Sequence, residues 1–383
     1  MSEYKAVIDL GTKNLRLGIF DLNTKSVYSS KQIINDDLAQ SLNTLIRDAE
    51  KHLSTHIDNT VVLYDSPKFS SLDISIKKVF DHSVPIDKVY ESLIEEANFI
   101  VSQNNFKNQI IHLVVNNIII DGNKKITKII KNKKIKFLIL EIKFICISKI
   151  LRNEISNIFK KNNLKISNLY CSSYIKTTFY KKNFDNKDTL IFLDIGFERT
   201  SCFIFENDKY EFFNFIPIGG NNITKDISKV LKLNLDYSED LKIKLNKDEN
   251  EIFLNRNDFY KKNPFSEVLD KNISIGLLKQ IIEARVKEIF ELSLNKYYLI
   301  KNFSINKKPK IILFGGGSKL LPNTYKLNTD KIFSELVFFQ EYDSNICEAG
   351  YFYSNSDESF YTQTKKREQK VGFFESFFNF FSK

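Results

Sequence analysis

The sequence predicts an α/β protein built from two related half-domains, and three observations carry that prediction. The chain repeats its own beginning: with Asp194 set under Asp9, Asp9-Leu-Gly-Thr-Lys-Asn-Leu-Arg-Leu-Gly-Ile-Phe20 lies over Asp194-Ile-Gly-Phe-Glu-Arg-Thr-Ser-Cys-Phe-Ile-Phe205. Both runs read as an apolar strand, an Asp-apolar-Gly turn and a second apolar strand. The N-terminal elements follow the order strand, strand, strand, helix, strand, which belongs to an α/β lobe and not to a solenoid or sandwich. Glycines also gather where strands give way to turns, at Gly219-Gly220 and Gly315-Gly316-Gly317.

Taken in order, Tyr4 to Asp9, Leu15 to Asp21 and Val27 to Ile34 read as strands separated by Gly, Asn and polar turns. A helix follows from Asp37 to His52, with Leu38, Leu42, Leu45, Ile46 and Leu53 at helical spacing behind the cap signal Asn35-Asp36-Asp37. Thr60 to Tyr64 reads as a buried strand. Pro85 marks a boundary, after which an amphipathic helix (87–103), strand-like material (109–120 and 126–147) and a helix (148–162) make up a module that looks inserted between the halves. Beyond the second hairpin, helices are expected through Leu231, over Tyr237 to Lys242 and from Ser274 to Asn295, and residues 246–265 read as polar with short strands. Pro309 to Pro322 is a strand entering the triple-glycine turn.

Such hairpin tips have a specific chemistry. Glycine lets the backbone approach an anion, successive turn N–H groups form a phosphate-sized nest, and a carboxylate at a strand end can hold Mg2+ through water. The Gly219-Gly220 pair opening a helix offers free N–H groups and the positive dipole end. Three glycines at a strand's carboxyl end leave a flat surface against which adenine or ribose can lie. Taken alone, each hairpin reads first as a plain tight hairpin and the Gly219-Gly220 pair could be a simple strand-to-helix turn; their sum favours a nucleotide.

Composition excludes several classes. With 42% hydrophobic and 27% charged residues the chain is globular. Its net charge of +10 is spread through an Ile-, Asn- and Lys-rich sequence, so no nucleic acid is expected as a partner. Cys146, Cys171, Cys202 and Cys347 form neither a disulfide framework nor a zinc spacing, and His52, His56, His82 and His112 are scattered. No signal peptide or membrane-spanning run is read, so an intracellular protein is expected.

In this order the segments resemble the actin-like ATPase superfamily, and within it the bacterial cell-division family FtsA. The resemblance rests on Asp9-Leu-Gly-Thr12, Pro217-Ile-Gly-Gly-Asn-Asn-Ile-Thr-Lys-Asp-Ile227, Ser238-Glu239 with Lys242, Ile281-Ile-Glu-Ala-Arg-Val-Lys-Glu-Ile289 and Leu313-Phe-Gly-Gly-Gly-Ser318. It implies a duplicated ribonuclease H-like fold with two lobes around a nucleotide cleft. The implied divisions are subdomain 1A over 1–84 and 167–187, an inserted 1C over 85–166, 2A over 188–227, 2B over 228–302, and 2A with a return to 1A over 303–352. ATP and Mg2+ are the implied cofactors. Gly11, Thr12, Lys13 and Asn14 would surround the terminal phosphates with Gly196, Gly219 and Gly220 on the facing side, and Asp9 and Asp194 would lie in the Mg2+ shell. Glu239 and Lys242 would flank ribose and adenine, and Gly315, Gly316, Gly317 and Ser318 would lie beneath the adenosine. No catalytic residue is assigned, and weak ATPase activity at most is implied, without transfer to another substrate. Implied partners are FtsZ, through its C-terminal peptide on 2B, further copies in a filament, and later division proteins on 1C. Metabolite kinases and pilus-assembly adaptors of the PilM type share the superfamily and stand as alternatives.

One departure is chemical: the family's second loop is Asp-apolar-Gly-Gly-Gly-Thr, whereas here Phe197, Glu198 and Arg199 follow Gly196. Side chains stand where bare backbone would meet a phosphate, with Arg199 as the candidate to contact the anion directly. The tail is the last feature. Residues 353–370 read as a polar tether, and at ~100° per residue Phe373, Phe374, Phe377, Phe378, Phe380 and Phe381 fall in one arc of a 371–383 helix behind Lys365, Lys366, Arg367 and Lys370. That pattern suits an interfacial helix on an anionic bilayer; the resemblance implies that this is the cytoplasmic side of the bacterial inner membrane, at the division site.

Overall fold

In the computed structural model, residues 4–356 are described, apart from 248–274, 301–308, 321–334 and the short stretches 22, 24, 35–36, 106, 122–123, 127–128, 186–187 and 208. The apolar runs that the sequence repeats become the same sheet twice. Tyr4–Leu10 (β1), Asn14–Asp21 (β2), Ser26–Ile33 (β3), Asn59–Tyr64 (β4) and Lys165–Cys171 (β9) form one five-stranded sheet in the order β3-β2-β1-β4-β9. Thr189–Ile195 (β10), Thr200–Glu206 (β11), Lys209–Ile216 (β12), Lys310–Phe314 (β13) and Glu335–Phe338 (β14) form the other, β12-β11-β10-β13-β14. In each, the hairpin pairs are antiparallel and the remaining two parallel. Even the register agrees: Asp9 faces Arg16 and Leu63, and Asp194 faces Ser201 and Phe314.

Alternation along the second sheet sorts its side chains between two cores. Leu190, Phe192, Phe203, Phe205, Ile312 and Phe314 join the core of the first lobe, while Ile191, Leu193, Ile195, Cys202, Ile204, Ile311 and Leu313 pack with Gly220–Leu231 (α5), Leu235–Lys247 (α6) and Ile275–Ile300 (α7). A strand buried on both faces needs the near-continuous apolar runs found here. Each fully buried aromatic contributes roughly 1.5–3 kcal/mol relative to exposure. The first lobe is completed by Leu38–Leu53 (α1), Lys149–Lys161 (α3), Ser172–Lys181 (α4) and Asp343–Ser354 (α8). Asp37 caps α1 by accepting from the N–H groups of Ala39 and Gln40.

Between β4 and β9 lies a third sheet, Ser70–Pro85 (β5), Asn108–Ile120 (β6), Lys124–Ile126 (β7) and Lys134–Ser148 (β8), in the order β5-β8-β6-β7. It is covered by Ile86–Asn104 (α2), which buries Ile86, Leu93, Ile94, Ala97 and Val101. The sheet takes in residues ahead of Pro85, where the sequence reading puts the boundary. Conversely α3 turns its buried Ile155 and Phe159 into the core of the first lobe. The expected strands over 246–265 fall largely outside the described residues.

His112 of β6 ties this sheet to the first lobe. The Cys171 N–H donates to Nε2 at 2.8 Å, so Nδ1 carries the proton and meets the Tyr353 hydroxyl at 3.0 Å. Burial pushes the imidazole pKa down to about 3. An unfolded chain takes up this proton near pH ~6.5. The contribution to stability is therefore complete above that value and falls as the pH drops toward the folded pKa, by roughly 1.4 kcal/mol per pH unit. Urea unfolding at pH 7 and pH 5 should show the parent losing about 2 kcal/mol more across that interval than His112→Asn does. Equal losses would remove His112 as the titrating group.

Candidate functional site

The equivalent strands β1 and β10 end at one cleft of about 400 Å³, which receives Asp9 and Asp194 from the two lobes. Both hairpin tips close in the same way, Gly11 N–H donating to the Asn14 carbonyl at 3.1 Å and Gly196 N–H to the Arg199 carbonyl at 2.8 Å. Gly11, Thr12, Lys13 and Asn14 line the first side, and Gly196 and Gly220 line the second. Glu239 and Lys242 of α6 and Gly315, Gly316 and Gly317 complete the wall. Gly219 and Ser318 stand one position behind it, Gly219 as the N-cap of α5 and Ser318 buried with its hydroxyl donating to the Gly315 carbonyl at 2.8 Å. Phe373, Phe374, Phe377, Phe378 and Phe381 lie outside the described residues.

The helix start at Gly219-Gly220 differs from the expectation. Its N–H groups are used within the protein: Gly219 to the Asn222 side chain at 3.0 Å, Gly220 to the Gly196 carbonyl at 2.9 Å and Asn221 to the Phe197 carbonyl at 2.7 Å. The second hairpin itself caps α5, which removes the free donors that an anion would need there. Close packing explains the glycines: a Cβ on Gly219 would come within 2.6 Å of the Gly196 carbonyl oxygen, and one on Gly317 within 2.7 Å of the Ile195 side chain. Gly315 has φ +88°, and its Cβ would strike Asp194. Only Gly316 of the three faces open space.

The second loop's side chains are also placed differently from the expectation. Arg199 reaches across to the first lobe and pairs with Asp65, a carboxylate that also accepts from the Ser173 N–H and hydroxyl and from the Cys171 thiol. Arg199 lines the cleft with its guanidinium already paired to a protein carboxylate. Burial pushes the Asp65 pKa up, with Arg199 opposing. Phe197 lines the cleft with the Lys13 ammonium 4.9 Å from its ring centroid, while Glu198 is exposed and outside the lining.

Four polar or charged lining residues escape sequence reasoning: Arg16, Ser172, Lys176 and Glu341. Asp9 accepts from Arg16 at 2.9 Å and from the Ser172 hydroxyl at 2.7 Å. Arg16 also reaches Asp343 at 2.5 Å. Lys176 of α4 places its ammonium 2.6 Å from Asp194 and 3.2 Å from Glu341, whose carboxylate also accepts from the Tyr180 hydroxyl at 2.9 Å. Burial alone would lower the Lys176 pKa, but Asp194, Glu341 and Asp9 outweigh it and hold the ammonium above its ordinary value. Glu341 is pushed up by burial against the pull of Lys176. Glu239 bridges Lys242 at 2.5 Å and Lys13 at 3.2 Å. Burial opposes its charge, yet the bonds from Lys242 and Thr224 leave its pKa below the usual range.

Comparison with known proteins places this geometry. The family model described as cell division protein FtsA matches residues 191–337. Cell division protein FtsA of Streptococcus pneumoniae serotype 2 (strain D39 / NCTC 7466) is 31% identical over 135 residues, 35% of this chain and 28% of that protein. The Bacillus subtilis (strain 168) protein of the same name is 30% identical over 148 residues, 36% of this chain and 30% of its own. The matched stretch thus spans less than a third of these relatives' length. A solved PilM-PilN type IV pilus biogenesis complex superposes with a TM-score of 0.59 at 12% identity, covering 90% of this chain and 96% of that one. The two like sheets around a shared cleft are an actin-like fold, and the lobe that carries the second hairpin, the capped helix and the glycine turn is similar to FtsA.

Proposed function

We propose that this chain is an FtsA-like cell-division scaffold that binds ATP in the cleft and polymerises on the cytoplasmic face of the bacterial inner membrane. There it anchors FtsZ filaments at the division site, the FtsZ C-terminal peptide docking on 228–302, and recruits later division proteins through the inserted module read over 85–166. The observation that carries the reading is that the FtsA similarity runs along β10, α5, α6 and the glycine turn, the elements that build one wall of the cleft. In this reading Thr12, Lys13 and Asn14 supply donors and a cation to phosphates, Gly316 opens a flat surface, and Glu239 and Lys242, which line the same cleft, flank ribose and adenine. ATP here supplies a binding signal for assembly. The arc of Phe373, Phe374, Phe377, Phe378 and Phe381 forms the membrane contact, with the preceding basic cluster drawn to anionic lipid. One tail binds weakly, and a filament carrying many binds well.

A second reading, a PilM-like adaptor that holds a membrane protein's N-terminal peptide, draws on the superposition over nine-tenths of the chain. Co-sedimentation separates the two. With anionic vesicles and ATP, the chain should pellet and carry FtsZ filaments down with it, and Phe377→Glu with Phe378→Glu should leave both in the supernatant. FtsZ that stays in solution while the chain pellets would sink the FtsZ role, and a double variant that still pellets would sink the tail as anchor.

A further inference from the structure

We propose that Lys176 takes the place of the divalent cation in this cleft, so that the chain binds ATP equally well with and without Mg2+. The inference rests on the nucleotide reading above and adds to it the form of the ligand, the free nucleotide instead of its magnesium complex. Water-held Mg2+ at a nucleotide needs carboxylate oxygens free to accept from its hydration shell. The two carboxylates that the repeated strands bring to the cleft do not offer them. Asp9 spends Oδ1 on the Ser172 hydroxyl at 2.7 Å and Oδ2 on Arg16 at 2.9 Å. Asp194 spends Oδ2 on Lys176 at 2.6 Å, and its Oδ1 is packed so closely on Gly315 that a Cβ there would lie 2.3 Å away. Among the described residues no group of three or more His, Cys, Asp or Glu side chains is arranged to hold a metal ion.

The chain also supplies the charge that a metal would bring. The Lys176 side chain is only 8% exposed, so its position is set by packing, and it lines the cleft. An ammonium has three donors, of which Asp194 and Glu341 take two. Lys13 adds a second positive charge at the first hairpin tip. A dication placed on Asp194 would meet this fixed ammonium, with the Arg16 guanidinium on the neighbouring carboxylate, at short range and in surroundings drier than water. A phosphate oxygen placed there meets a cation already in position. The lysine belongs to the first lobe and the carboxylate to the second, so the same ammonium joins the lobes around the ligand.

Calorimetric titration of the full chain with ATP, once with excess EDTA and once with excess Mg2+, tests the idea. Affinities that agree within about threefold support it, and a loss of more than about tenfold in EDTA overturns it while leaving the nucleotide reading in place. No binding in either buffer overturns both. Lys176→Met should convert the protein to Mg2+ dependence, with Kd in EDTA rising by about tenfold or more and recovering when Mg2+ is added. Undiminished binding by this variant in EDTA would overturn the assignment. Should the variant not fold, Lys176→Arg, which keeps the charge, should bind in EDTA as the parent does, and a need for Mg2+ there would count against it.

Discussion

Arg199→Met is expected to cost the protein about 3–5 kcal/mol, because it leaves the Asp65 carboxylate buried without its cation. The Asp65 side chain is 1% exposed, and its remaining partners, Ser173 and Cys171, are neutral donors that do not cancel a charge. Burial already pushes its pKa upward with Arg199 in place. Without the guanidinium the carboxylate should take up a proton at higher pH still. A carboxyl whose folded pKa is raised favours the folded state at low pH and loses that advantage as the pH rises, so the penalty should shrink on acidification. Urea unfolding of Arg199→Met against the parent at pH 5 and pH 8 reads both effects. Adding Asp65→Asn should recover most of the loss, since an amide can be left without a cation. A single variant that loses less than about 1 kcal/mol would show that the interlobe pair is screened and carries little.

Gly315→Ala should be comparably damaging, for reasons of backbone and space. At φ +88° a side chain is strained by roughly 1–3 kcal/mol. The new Cβ would also sit 2.3 Å from Asp194 Oδ1 and 2.6 Å from the Ile195 carbonyl oxygen, so the strand end must move. A total of at least about 3 kcal/mol is expected, together with displacement of Asp194 from Lys176. Gly316→Ala is the control. Its Cβ would meet nothing within 4 Å, and stability should change by less than about 1 kcal/mol. A Gly315→Ala protein as stable as the parent would mean that the turn relaxes freely.

Much of the fold is legible because the chain writes it twice. The Asp-apolar-Gly pattern at Asp9 and again at Asp194 marks two hairpins, and the structure returns them with one register. The helix after Asp37 is legible from its cap and its leucine spacing. Strand β5 is harder to see: Leu72, Ile74 and Ile76 alternate with polar residues, but the lysines and Asp-His that follow break the alternation. At the site, residues named by glycine and acidic motifs gather at one cleft, whereas Lys176 carries no motif. A single lysine on a short helix reads as solvated, and only the fold brings it to a carboxylate from the other lobe. Arg199 is visible as a departure from a pattern, but its partner Asp65 lies over a hundred residues away. Charge pairing of this kind depends on tertiary placement, which local spacing does not encode.

The helix Asp343–Ser354 lies against β1, β2 and β4, close enough that a side chain on Gly350 would press on Val7 and Leu63 and one on Gly18 on Cys347. The strand β4 must likewise wait for β9, which follows the whole third sheet. During synthesis the N-terminal lobe therefore emerges first and finishes last, since its own sheet lacks an edge until residue 165 and, on the face where this helix lies, its cover until residue 343. Such long-range closure is slow and leaves apolar strands open meanwhile. The second lobe, whose strands and helices follow one another within a shorter stretch of chain, is placed to fold before its older partner and to serve as the surface on which that partner is completed.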